Sequence, residues 1–261
     1  MAYFPFRGNA NDESGNGAHG TAYGTKLTWD RFGNENCAYE FDGSGDFISL
    51  PHFSGIDDAE RNGEMTVSWW QKVNNWDEDN GDDDGIFPIL DSGSSSWKVA
   101  ARPEMTSIEI SQGADIVCGS MDNELGKWDH MAISFDDDAN IGKIYKNGLL
   151  ECTEVVSGQI AETATGLTIG HSSSSGSNVW AKGFIDEVRI YSRVLSDAEI
   201  MLLFTDQGYY VADENVHDDK DGGMTVLVIV LFTVVVVFGC VLLMIVIACC
   251  AGWIGRTSKT E

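Results

Sequence analysis

Gly183–Ile200, GFIDEVRIYSRVLSDAEI, is the stretch whose reading decides the fold. Over Phe184–Tyr191 residue types alternate with the period of two of an extended strand: Phe184, Asp186, Val188 and Ile190 on one face, Ile185, Glu187, Arg189 and Tyr191 on the other. Val188 and Ile190 mark the core face, so the alternation turns Asp186 inward as well. An inward carboxylate is costly unless something hydrogen-bonds or ligates it. Ser196 and Glu199 then have the S-x-x-E spacing of a capping box, ahead of an apolar run ending at Phe204. That predicts a helix of about two turns.

Outward from this unit the chain repeats one theme. Tyr3–Phe6, Cys37–Phe41, Phe47–Leu50, Met65–Val73, Ile86–Leu90, Trp97–Ala101, Ser107–Ser111, Ile116–Cys118, Lys127–Phe135, Ile141–Lys146 and Leu149–Val156 all read as short strands between polar, Gly-rich turns. Asn147-Gly148 is a strong hairpin turn, and Asp42–Asp46 reads as a longer hairpin connection. Trp69 and Trp70 fall on opposite faces, so one fills the core while the other looks away from it. Strands this short and this closely spaced indicate an all-β antiparallel sandwich.

The same segments, in the same order, resemble the laminin-G-like, or concanavalin-A-like, jelly-roll family. The opening is YFPFRGNANDESGNGAHGT at Tyr3–Thr21, followed by AYEFDGSGDFISLP at Ala38–Pro51 and the tryptophan strand MTVSWWQKV at Met65–Val73. KWDHMAISFD at Lys127–Asp136, KIYKNG at Lys143–Gly148 and LTIG at Leu167–Gly170 come next, and Gly183–Ile200 is similar to the family's C-terminal signature. The resemblance spans roughly Ala2–Phe204. It implies a jelly roll that recognises glycans or extracellular protein ligands. It also implies a structural calcium ion where the opening loop meets the last strand, with Asp186 and Asp12 as ligands and Asp42 and Asp46 as further candidates, because hard oxygen donors suit that ion. The alternative for Asp186 is a carboxylate hydrogen-bonded to backbone N–H groups.

Ligand candidates come from the residues themselves. Trp76, Trp97 and Trp180 lie beside rim loops, where an indole face can stack on a sugar while Asp or Asn side chains take hydroxyls; burial in the core is the competing fate. Trp76–Gly85, WDEDNGDDDG, reads as a solvated acidic loop. The close Glu-x-Asp-x-x-Glu arrangement of hydrolases on this broad fold is absent from the sequence, and the five histidines sit in no catalytic context. The expected function is therefore non-enzymatic recognition; a structural cell-surface or virion-envelope protein is the alternative, and a glucanase-like enzyme a more distant one.

With 41 Asp and Glu against 16 Lys and Arg the chain carries a formal charge of −25, which disfavours nucleic acid and anionic surfaces. Residues 1–208 form the expected domain, 209–223 an acidic linker and 255–261 a tail. Between them Met224–Ile254 carries no charged residue and exceeds the roughly 20 residues needed to cross a bilayer, so it is expected to be a single transmembrane helix. Arg256 and Lys259 beyond it favour a cytosolic tail and an extracellular domain, against which Lys220 weakens the contrast. No basic and apolar leader precedes the domain, which leaves open a start further upstream or a tail-anchored protein with a cytosolic domain. Cys37, Cys118 and Cys152 allow at most one disulfide within the domain.

Overall fold

A strand with one apolar face is stable only when that face meets another, so a chain of such strands stacks into two sheets. The computed structural model describes residues 1–75, 86–93, 97–102, 105–110, 114–119, 123–156, 160, 166–173 and 178–206. Trp76, the linker, Met224–Ile254 and the tail lie outside them. Among the described residues no helix is long and apolar enough to cross a membrane.

In chain order the elements are β1 (Ala2–Phe4), β2 (Thr21–Tyr23), β3 (Lys26–Thr28), β4 (Ala38–Asp42), β5 (Phe47–Leu50), α1 (Ser54–Asn62), β6 (Glu64–Val73), β7 (Phe87–Asp91), β8 (Lys98–Arg102) and β9 (Met105–Ile110). They continue as β10 (Ala114–Gly119), β11 (Asp129–Asp136), β12 (Ile141–Lys146), β13 (Leu149–Val155), β14 (Leu167–Ile169), β15 (His171–Ser172), β16 (Val179–Trp180), β17 (Lys182–Tyr191) and α2 (Asp197–Thr205). One sheet runs β13-β12-β11-β6-β17-β4-β3, with β1 also paired to β17; the other runs β10-β9-β8-β7-β14-β5-β2. All recorded pairings are antiparallel. The core between the sheets includes Phe4, Phe41, Ile48, Val67, Trp69, Phe87, Val99, Ile133, Ile169, Ile185, Val188 and Ile190.

The closing unit forms as its sequence dictates, with one correction. Ser196 caps α2, accepting from the Glu199 N–H while the Glu199 carboxylate accepts from the Ser196 N–H. Strand β17, however, is bulged: its register against β6 shifts between Asp186 and Arg189, and Glu187 adopts φ +47°. The bulge inserts a residue and resets the alternation. Ile185, Val188 and Ile190 therefore share the core, while Asp186 pairs with Trp70 on the opposite face. Asp186 is buried there all the same, beneath the loop after β3. Trp69 is the core tryptophan and donates to Gln71 Oε1 at 2.8 Å, while Trp70 lies with His130 and Phe204 under α2.

A second correction concerns Asp42–Asp46. The strands it joins are not a hairpin: β4 pairs with β17 and β3, whereas β5 pairs with β14 and β2 in the other sheet. Gly43 and Gly45, at φ +87° and +86°, let the chain turn across the sandwich instead of back along it. Asn147-Gly148 does form the expected tight hairpin between β12 and β13, with φ +50° and +78°. Helix α1 has no counterpart in the sequence reading; it ends on Gly63 in the left-handed conformation.

Candidate functional site

The crossing at Gly43–Asp46 has a twin. β2 lies in one sheet and β3 in the other, and Gly24, at φ +75°, turns the chain between them. The two crossings touch: a Cβ on Gly24 would stand 2.1 Å from Asp46 Oδ1, so any other residue must push that carboxylate aside as well as adopt a positive φ. Asp46 Oδ2 accepts the Asp42 N–H at 2.9 Å, and Asp42 Oδ1 accepts the Ser44 N–H at 2.7 Å. The carboxylates of buried Asp46 and exposed Asp42 thus brace one corner of the sandwich. Burial pushes the Asp46 carboxyl above its ordinary range, and the neighbouring Asp42 charge adds to this.

The strands leaving this corner carry aromatic rings. Tyr23 and Phe47 are cross-strand partners, and since the next residue on β5, Ile48, points into the core, Phe47 points out. Their rings stack at 4.7 Å and 14°. Beside them, β15 and β16 pair His171 with Trp180, whose rings stack at 4.1 Å. Phe47 lies 6.0 Å from the His171 ring and 6.1 Å from that of Trp180. Asn178 Oδ1 lies 3.2 Å from His171 Nε2. Tyr23 is 48% exposed, and Phe47, His171 and Trp180 are half-buried. The result is an aromatic shelf with an amide at one side and the Asp42 carboxylate at the adjoining corner.

Asp91, at the end of β7, fixes the shelf from below. Its buried carboxylate accepts from Ser172 Oγ at 2.5 Å, from the Ser173 N–H at 3.1 Å and from the Gly93 N–H at 2.6 Å. Thr168 Oγ1 donates to the His171 carbonyl at 3.0 Å. Such a surface can take the C–H face of a sugar ring on its aromatic side while carboxylate and amide oxygens accept hydroxyl protons.

The other candidates stand elsewhere. Trp97 is fully buried in the core. Asp12 accepts the N–H groups of Tyr3, Ser14 and Ala18 at 3.0, 2.9 and 3.1 Å. Burial alone would raise its carboxyl, yet these donors outweigh it and hold the group below its usual range. Asp186 accepts from Arg31 at 3.2 Å and from the Glu187 N–H at 2.7 Å. Burial first, and the Glu187 charge second, push its carboxyl well up. Arg31 is sandwiched at 4.2 Å over the rings of Phe32 and of Trp70. A calcium ion shared by Asp12 and Asp186 does not fit, because each carboxylate is already committed to N–H donors, one of them a guanidinium. Among the described residues no group of three or more His, Cys, Asp or Glu side chains could hold a metal. Asp42 and Asp46 serve the shelf corner instead. Cys37 is free, and Cys152, on β13, is disulfide-bonded.

Tyr23, Phe47 and His171 were not singled out in the sequence. The signal available was an aromatic residue just outside each Gly-rich turn, at Tyr23-Gly24 and Asp46-Phe47, but only knowledge that both turns cross between the sheets would have brought the two together.

A family model described as the concanavalin A-like lectin/glucanases superfamily matches residues 42–201. Domain 4 of AbnA, a GH43 extracellular arabinanase from Geobacillus stearothermophilus solved in complex with arabinotriose, is similar at TM-score 0.58 and 18% identity, over 77% of this chain and 96% of that one. The receptor binding domain of botulinum neurotoxin C/D mosaic serotype is similar at TM-score 0.60 and 18% identity, over 79% of this chain and 51% of that one. The binding domain of botulinum neurotoxin DC in complex with SialylT gives 0.58 and 20%, over 75% and 47%. The chain thus spans about half the length of the neurotoxin domains it matches. No curated protein matches the sequence.

Proposed function

Because the chain belongs to the concanavalin A-like lectin/glucanases superfamily, we propose that Met1–Gln207, a compact unit in its own right, is a non-enzymatic carbohydrate-recognition module that binds through the Tyr23, Phe47, His171 and Trp180 shelf. The observation that carries this reading is the shelf itself: four rings gathered from four separate segments, accessible from outside and braced by buried carboxylates. Aromatic surface left half-open on a rigid sandwich marks a binding surface. The arabinanase domain solved with arabinotriose and the neurotoxin domain solved with SialylT support it by fold.

The module is displayed outside the cell by Met224–Ile254 as a single membrane span, with Arg256 and Lys259 inside. The Cys152 disulfide supports this orientation, since such bonds persist in oxidising compartments. Glycan-array screening of the 1–207 fragment, then calorimetry on the best oligosaccharide, tests the binding. Trp180→Ala and Tyr23→Ala should each weaken it about tenfold, the effect of losing roughly 1.4 kcal/mol of stacking. Binding that both variants keep at full strength would place the site elsewhere.

A further inference from the structure

Two carboxylates flank the aromatic shelf, and neither is paired to a cation at contact distance. Asp46 precedes Phe47, and its Oδ1 lies against Gly24, which follows Tyr23, so this carboxylate is wedged where the Tyr23 and Phe47 strands leave the corner. Asp91 lies under the other half, holding Ser172 and Ser173 beside His171. At 7% and 3% exposure both are shielded from water, which therefore screens them little. Their donors are neutral: the Asp42 N–H for Asp46, a serine hydroxyl and two backbone N–H groups for Asp91. Such bonds satisfy a carboxylate without cancelling its charge.

The nearby lysines do not reverse the balance. Lys26 and Lys182 stand in register opposite Glu40 and Asp42, and Lys98 stands between Asp91 and Glu109. Each of these lysines has an acid across from it, and the acids outnumber them. The formal charge of −25 adds a field of the same sign, but at physiological salt only charges within about 8 Å act strongly on a bound sugar. The local set therefore decides. Asp42 is exposed at the corner. A sugar hydroxyl can donate to its carboxylate, whereas a sugar carboxylate or sulfate has no proton to give and is repelled.

We propose that the shelf selects neutral glycans and rejects those that carry carboxylate or sulfate groups. This rests on the reading of the shelf as the carbohydrate site, and names the class of sugar it takes. The aromatic rings supply affinity for any sugar with a C–H face, and the acidic frame supplies the discrimination.

Oligosaccharides arrayed in pairs that differ only by an acidic group test the proposal: N-acetyllactosamine against its sialylated and sulfated forms, and xylotriose against its glucuronic acid-substituted form. The 1–207 fragment is applied at pH 8, so that both carboxyls are ionised. In 0.1 M NaCl the acidic member of a bound pair should bind at least about fivefold more weakly than the neutral one. The ratio should shrink in 1 M NaCl, where charges act over only about 3 Å. Asp42→Asn, which keeps an oxygen for the Ser44 N–H and removes the charge, should shrink it as well. Acidic members bound as well as neutral ones, with Trp180→Ala weakening both, overturn the selection and leave the shelf standing. Discrimination that survives both 1 M NaCl and Asp42→Asn is one of shape and overturns the electrostatic account. An array on which neither member of any pair binds overturns the shelf as the carbohydrate site, and this proposal with it.

Discussion

Asp186 is the residue at which sequence and structure diverge most usefully. Its type and burial were legible, because a carboxylate amid Val188 and Ile190 had to be inside something; its face was not, because the bulge at Glu187 obeys no alternation rule and shows itself only in the backbone. Its partner, Arg31, lies far away in sequence, and nothing around Arg31 marks it as buried. The carboxyl is raised by burial and by Glu187, so between the ordinary carboxylate range and the raised value the folded state holds a proton that the unfolded chain has released. This group's contribution to stability is thus present at low pH and lost as pH rises through that window. Asp186→Asn, which copies the protonated form, should melt with the wild type near pH 4 and progressively above it as pH rises past the ordinary carboxylate range. A variant that instead loses stability toward neutrality would show the carboxylate ionised against Arg31. With Asp12 held by three N–H donors and Asp186 paired with Arg31, calcium and chelator should leave the melting temperature unchanged. A rise with calcium that Asp186→Ala removes would restore the metal site.

Among elements, those with local rules were readable and those set by distant partners were not. The α2 capping box and the Asn147-Gly148 turn each carry their geometry in adjacent residues. The Gly43–Asp46 crossing reads like a hairpin because the glycines that reverse a chain also let it change sheets, and the choice belongs to β17 and β14, the strands that take β4 and β5. Helix α1 escaped notice for a related reason. Its buried face, Gly55, Ile56 and Ala59, is too short to announce a period. The twin crossings make a specific prediction. Gly24→Ala must relieve a contact with Asp46 Oδ1 and adopt a positive φ, so it should cost about 1–3 kcal/mol in stability. Because the corner carries Tyr23 and Phe47, oligosaccharide affinity should fall even at temperatures where the variant is fully folded. Chemical denaturation and calorimetry on one preparation separate the two effects, and unimpaired affinity would detach the shelf from its corner.

For the whole molecule, the two sheets are fastened by core packing and by the crossings, and edge strand β13 carries the disulfide-bonded Cys152. Reduction should destabilise the 1–207 fragment by about 2–4 kcal/mol, visible as a lower melting temperature in dithiothreitol; an unchanged transition would mean that the bond adds nothing to the fold and would remove its support for an extracellular domain. Strand β17 then acquires a mechanical meaning. Trp180 stands just before its first residue, and α2, from which the chain leaves the domain, follows its last. Tension between a ligand held on the shelf and a tether beyond Asp206 would run lengthwise along β17, whose neighbours β6, β4 and β1 grip it on both sides. Load in that direction strains many cross-strand hydrogen bonds at once and does not peel them one by one, so the strand that would join the proposed binding surface to the proposed anchor is also the one best placed to withstand being pulled.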